Sequence, residues 1–203
     1  CTSGEASIGA KPTVTYTIGD YWPNPNISAG GHVEGIVFAV SADGKHGKIL
    51  SLVESSGLKW NTTGGKDETL DEDDGTVNWD TIKAKDASFS NYPAFAWCAS
   101  LGEGWYIPAI NELLAVRTAW GATIEEKEAF NKRISDVGGT PLKMTATVGG
   151  SAKSAYYYSS TEKESAANKA LSLSFNSASG ASDGLKKTSD SQENLIYRAI
   201  KTF

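Results

Sequence analysis

The stretch 92–120, YPAFAWCASLGEGWYIPAINELLAVRTAW, limits the fold more than any other part of the chain, because two complete helix signatures follow each other there without a gap. Pro93 suits a first helical position, Ala94, Trp97, Cys98 and Leu101 recur at i, i+3, i+4 and i+7, and Gly102 supplies a left-handed stop. The second segment repeats this grammar. Pro108 opens it, Ile110, Leu113, Leu114, Val116 and Trp120 form its apolar face, and Gly121 ends it. Between the two, Gly102 and Gly104 permit a sharp corner from which Trp105 and Ile107 must turn inward. Such a corner is a scaffold, and it carries no catalytic pattern.

Around this scaffold the sequence reads mainly as short strands and loops. GIVFAV and KILSLVE, separated by SADGKHG, predict a hairpin, since branched and aromatic residues flank a glycine-containing turn. Thr123 and Glu126 form a capping box for a third helix, with Phe130 and Ile134 facing inward and Gly138 and Gly139 as its stop. AYYYSS, ALSLSF and LIYRAIKTF predict half-buried antiparallel strands. Residues 1–13, rich in Ser, Gly, Ala and Thr, predict a flexible tether, and 14–203 a single domain. The expected class is α+β, with two or three helices packed on an antiparallel sheet that contains the final strand.

Composition narrows the function. With 24 acidic against 19 basic residues the net charge is −5, the wrong sign for a nucleic-acid surface. No apolar run approaches the roughly 20 residues that span a bilayer. The segment KWNTTGGKDETLDEDDGTVNWD holds six carboxylates between Asp67 and Asp74 and predicts a solvated surface loop. Its glycine and final Glu are not placed as in an EF-hand, so no metal is expected there. His32 and His46 lack a second ligand at helical spacing, and no Walker loop, dinucleotide fingerprint or nucleophile elbow occurs. The expectation is a non-enzyme without cofactor. Cys98 falls on a helix's inward face as a small hydrophobe. Cys1, followed by Thr2, Ser3 and Gly4, reads either as the lipid-bearing residue of a processed bacterial lipoprotein or as an ordinary residue where the sequence was cut.

Several of these motifs in succession carry a resemblance. NWDTIKAKDASFSNYPAFAWCASLGEGWYIPAINELLAV, then YYYSSTE, ALSLSF and YRAIKTF resemble the bacterial family named after the C-terminal domain of a collagen-like adhesin. The matching positions are Trp79, Cys98, Leu101, Gly104, Trp105, Pro108, Glu112, Leu113, Ser159, Ser160, Thr161, Glu162, Tyr197, Arg198 and Ile200. The departures are Tyr106 where the family tends to have Arg, Tyr158 for Trp, and Ala199 and Lys201 in the last strand. The resemblance covers roughly residues 20–203 and implies a C-type-lectin-like fold and a role in adhesion at the cell surface. GDYWPNPN and HGKILSLVE look like segments of surface lipoproteins of gut bacteria, which implies a lipid-anchored location at the outer membrane or cell surface. The family is related to the variable proteins of diversity-generating retroelements. The calcium-binding sugar triplets of animal C-type lectins are absent, so the fold does not by itself imply a lectin.

The leading functional expectation is a surface binding module contacting a protein or glycan, with no nucleic acid and with membrane contact only through Cys1. Two rivals stand beside it: a structural or pilus-associated subunit without a ligand, and an enzyme related to sulfatase-activating lectin-like proteins. The ligand residues expected are Tyr156, Glu162, Asn168, Asn176, Asp183, Lys186, Asp190 and Asn194, because their loops are small and polar yet held by strands. Tyr156 is the expected anchor, unless its face of the strand turns inward.

Overall fold

The computed structural model describes residues 13–177, 184–189 and 193–203. Its first half runs through β1 (Tyr21–Trp22), β2 (Gly35–Val40), β3 (Gly47–Ser56), α1 (Gly75–Lys85) and α2 (Pro93–Ala99). Next come β4 (Trp105–Tyr106), α3 (Ile110–Trp120) and α4 (Ile124–Asp136). The C-terminal part holds β5 (Thr145–Val148), β6 (Ser151–Ser154), β7 (Tyr156–Glu162), β8 (Lys169–Ser174), β9 (Leu185–Lys186) and β10 (Leu195–Thr202). The class is α+β, with four α-helices among the described residues and a large, mainly antiparallel sheet. The tether expected over residues 1–13 lies outside them except for its last residue.

The sheet runs β1-β2-β3-β10-β7-β8-β9, with β4 also paired to β10, while β5 and β6 form a separate hairpin. Its helices lie on both faces, and the strands alternate accordingly. Ile36, Phe38, Leu50, Tyr157, Ile196 and Ile200 pack with α3 and α4, whereas Val37, Ile49, Tyr158, Tyr197 and Ala199 pack with α1 and α2. The central strands are therefore buried on both faces, not half-buried as their alternation suggested. Small and aromatic residues fit either environment, so polarity alone did not distinguish the two. A second correction concerns direction: β10 is antiparallel to β3 and β4 but parallel to β7.

The helical corner forms as its glycines require. Gly102 and Gly104 have φ of 115° and 86°, and the chain leaves them through β4, which buries Trp105 and Tyr106 against β10. Pro108 does not open α3, because its carbonyl accepts from the Ser160 amide at 2.7 Å and holds it outside the helix. The helix begins two residues later, with the Glu112 carboxylate accepting the Ala109 amide at 2.8 Å. The capping box at Thr123 and Glu126 forms as expected, with Phe130 and Ile134 buried.

Helix α1 has no counterpart among the elements expected from the sequence, whose acidic segment takes in only its first half, to Asp80. Its inner face is built from Gly75, Asn78 and Ile82 rather than from an apolar stripe. A Cβ at Gly75 would come within 2.6 Å of the Ile107 carbonyl oxygen, so the helix can approach the corner only through glycine.

Candidate functional site

Among the described residues, the ligand positions expected from the sequence do not form one surface. Strand β7 separates them, since Tyr156 at its start pairs with Ser174 and Glu162 at its end pairs with Ala170. Over seven residues at about 3.3 Å each, the two groups lie roughly 20 Å apart.

At the near end are Tyr156, Asn176 and Asn194. Tyr156 is half-buried against the core that contains Tyr158, and its amide donates to the Asn194 carbonyl at 2.8 Å. Asn194 is buried, and its Nδ2 donates to the Ser154 carbonyl at 3.0 Å. It holds the loop rather than offering its amide to a partner, which corrects the expectation. Asn176 is exposed and borders a cleft of about 310 Å³ beside Arg117 and Thr118.

At the far end are Glu162, Asn168 and Lys186, of which Asn168 and Lys186 are exposed. Glu162 is a second correction. Only 2% of it is exposed, and its carboxylate meets the Lys187 ammonium and the Asp67 amide instead of solvent. Asp183, Asp190 and the proposed lipid site Cys1 lie outside the described residues.

Lys187 is the functional residue the sequence reading missed. It is 0% exposed, and its Nζ donates to Asp67 Oδ2 at 2.7 Å, to the Gly65 carbonyl at 2.9 Å and to Glu162 Oε2. The same ammonium sits 4.5 Å from the ring centre of Trp60. Its backbone is tied on both sides, donating to the Asn168 carbonyl at 3.0 Å and accepting the Trp60 amide at 2.8 Å. The available signal was the two-residue period of Leu185, Lys186 and Lys187, which puts Lys187 on the side of Leu185.

This also corrects the reading of the acidic segment as merely solvated. Asp67 is 4% exposed and accepts Tyr92 Oη at 2.7 Å on Oδ1 and Asn61 Nδ2 at 2.7 Å on Oδ2. Burial first, then the Asp67 carboxylate, push the Tyr92 phenol well above its ordinary pKa, so it remains a donor. Further along, Asp71 accepts the amides of Asp73 and Asp74 at 2.9 and 2.7 Å, and Asp74 caps α1 through the Thr76 amide at 2.9 Å. These carboxylates organise backbone.

Glu112, Thr161 and Cys98 are turned inward. Glu112 is buried and gathers Gly75 N, Ala109 N and Tyr106 Oη at 2.8–3.0 Å, together with Lys48 Nζ. Thr161 accepts the Ile110 amide at 3.0 Å and donates to the Asp71 carbonyl at 2.9 Å, joining β7 to both the corner and the acidic segment. Cys98 is fully buried, and burial pushes its thiol far above the reactive range. His32 and His46 are exposed. No family model matches the chain, and no curated protein matches its sequence.

Proposed function

We propose that the chain is a non-catalytic adhesion or binding module of a bacterial cell surface, C-type-lectin-like in fold and lipid-anchored through Cys1, that contacts a protein or glycan through its C-terminal strands and loops. The observation that carries the reading is the far end of β7 and β8, where exposed polar side chains stand on a rigid base. Asn168 and Lys186 are exposed there, and Gly64 approaches Asn168 and Thr188. Beneath them Lys187 and its two carboxylates leave little freedom to the backbone. Small polar groups held this way offer hydrogen bonds to a partner without losing much conformational entropy on contact. The buried thiol of Cys98 disfavours the sulfatase-activating alternative, whose chemistry wants an accessible reactive cysteine.

The test is a screen of the chain on a glycan array and a panel of extracellular host proteins, followed by two variants on any partner found. Exchanging Asn168 and Lys186 together for Ala is expected to weaken binding at least about tenfold, a loss of about 1.4 kcal/mol. Asn176→Ala, at the other end of β7, is expected to leave binding unchanged. The opposite pattern moves the contact to the cleft beside Arg117, and no binder in either screen favours a structural subunit.

A further inference from the structure

The Lys187 cluster has a chemistry that a mere ion pair does not use. We propose that Lys187 and Asp67 become joined by an intramolecular amide, with Glu162 moving the proton, so that the chain covalently ties its C-terminal loop to the segment before α1. This inference is independent of the binding reading.

Position comes first. Nζ lies 2.7 Å from Asp67 Oδ2, which puts the carboxyl carbon one bond further on, at about the 3–3.5 Å of a near-attack contact. The side chains of Lys187, Asp67 and Glu162 are at most 5% exposed, so water competes little as a nucleophile and the amine has nowhere else to go.

Polarisation of the carboxyl group comes next. Tyr92 Oη donates to Asp67 Oδ1 at 2.7 Å, and Lys85 Nζ stands 3.8 Å from the same oxygen. Both would stabilise the negative charge that grows on Oδ1 as the carbon becomes tetrahedral. Asn61 Nδ2 donates to Oδ2, the oxygen that departs.

Glu162 completes the set. Its Oε2 contacts Lys187 Nζ and is aimed by the Asp67 amide at 2.7 Å, while Oε1 is buried and has no hydrogen-bond partner among the described residues. A purely structural carboxylate would be expected to satisfy both oxygens. A carboxyl group that accepts and returns a proton needs one oxygen in contact with the amine and gains nothing from a fixed partner on the other.

The step balances without a co-reactant. Proton transfer from Nζ to Asp67 turns the ion pair into an amine and a carboxylic acid. Nζ attacks Cγ and the C–N bond forms. Glu162 takes the surplus proton from nitrogen and passes it to the hydroxyl of Oδ2, the C–O bond breaks, and water leaves. The product is a neutral secondary amide spanning 120 positions of the chain.

Intact mass of the denatured full chain tests this. The expected mass is lower than the sequence requires by one water, and protease digestion is expected to release a branched peptide containing Asp67 and Lys187. Lys187→Arg, which keeps the charge, is expected to restore the full mass, as is Glu162→Gln in protein shown to be folded by circular dichroism. A wild-type chain at full mass overturns the proposal. So does a water loss that survives in Lys187→Arg, since that would place it elsewhere, as in cyclisation at Asp43–Gly44 or Asp74–Gly75. Should Glu162→Gln not fold, a branched peptide in the wild type still upholds the link and its absence still refutes it.

Discussion

Two buried cations, Lys187 and Arg198, hold the C-terminal part of the chain in place, and they differ in charge balance. Lys187 faces two carboxylates, Asp67 and Glu162, with Lys85 more distant at 3.8 Å from Asp67. Arg198 faces one, Glu54 at 3.2 Å, which a second cation, Lys143, also reaches at 2.6 Å. Backbone takes part of the rest of the guanidinium, with Nε donating to the Ser51 carbonyl at 2.9 Å and Nη1 to the Thr140 carbonyl at 2.7 Å, while Nη2 is buried without a partner among the described residues. Burial pulls its pKa below the ordinary value, and Tyr157 and Glu54 oppose that pull. The difference matters chemically. A planar guanidinium spreads its charge over fixed donors and does not give up its proton, whereas a lysine amine can, and is then a nucleophile. The Arg198 site can only be a brace. The Lys187 site has the parts to become a bond.

The largest expected effect comes from removing the cation with two dependants. Measured against the unlinked, charge-keeping Lys187→Arg, Lys187→Met strands Asp67 and Glu162, and it is expected to destabilise by about 3–5 kcal/mol in urea unfolding. Arg198→Met leaves Glu54 with Lys143, so the expected loss is smaller, about 1.5–3 kcal/mol, the range for hydrogen bonds to a charged group. Equal losses would break the comparison by showing that charge count does not set the cost.

The smallest effect sharpens it from outside, at a carboxylate that stays in water. Asp86 is exposed at its solvent side yet accepts the Asn91 amide at 2.9 Å, with the Ser88 and Ser90 hydroxyls adding to it, and these donors lower its pKa from 3.8 to about 2. Because the folded value is depressed, its contribution to stability is present above pH 3.8 and is lost as the pH falls through about 2. A carboxyl NMR titration is expected to place the midpoint near 2. A midpoint at the ordinary value would mean that the donors do not hold the charged form.

Much of the scaffold was legible because its signals are local. A heptad's worth of apolar spacing and a closing glycine announce α3, whose proline stays outside the helix, and a threonine three residues before a glutamate announces α4. α1 was invisible for the same reason, since its inner face is a glycine and an asparagine whose partners, the corner and Ser160, come from distant parts of the chain. The candidate site was legible only as a set of loops. Which of its polar residues turned inward depended on partners up to 122 residues away.

The sequence by itself determined the two helices and their corner, the β2–β3 hairpin and the α+β class. Each of these depends on residues a few positions apart, where backbone geometry and side-chain periodicity act directly. Only the tertiary structure decided that the sheet is covered on both faces, that β7 and β10 run parallel, and that Glu162 faces Lys187 instead of a partner. Those outcomes rest on burial and charge neutralisation between segments far apart in the chain. A lysine looks the same in sequence whether it ends in solvent, as Lys186 does, or among two carboxylates and an indole, as Lys187 does.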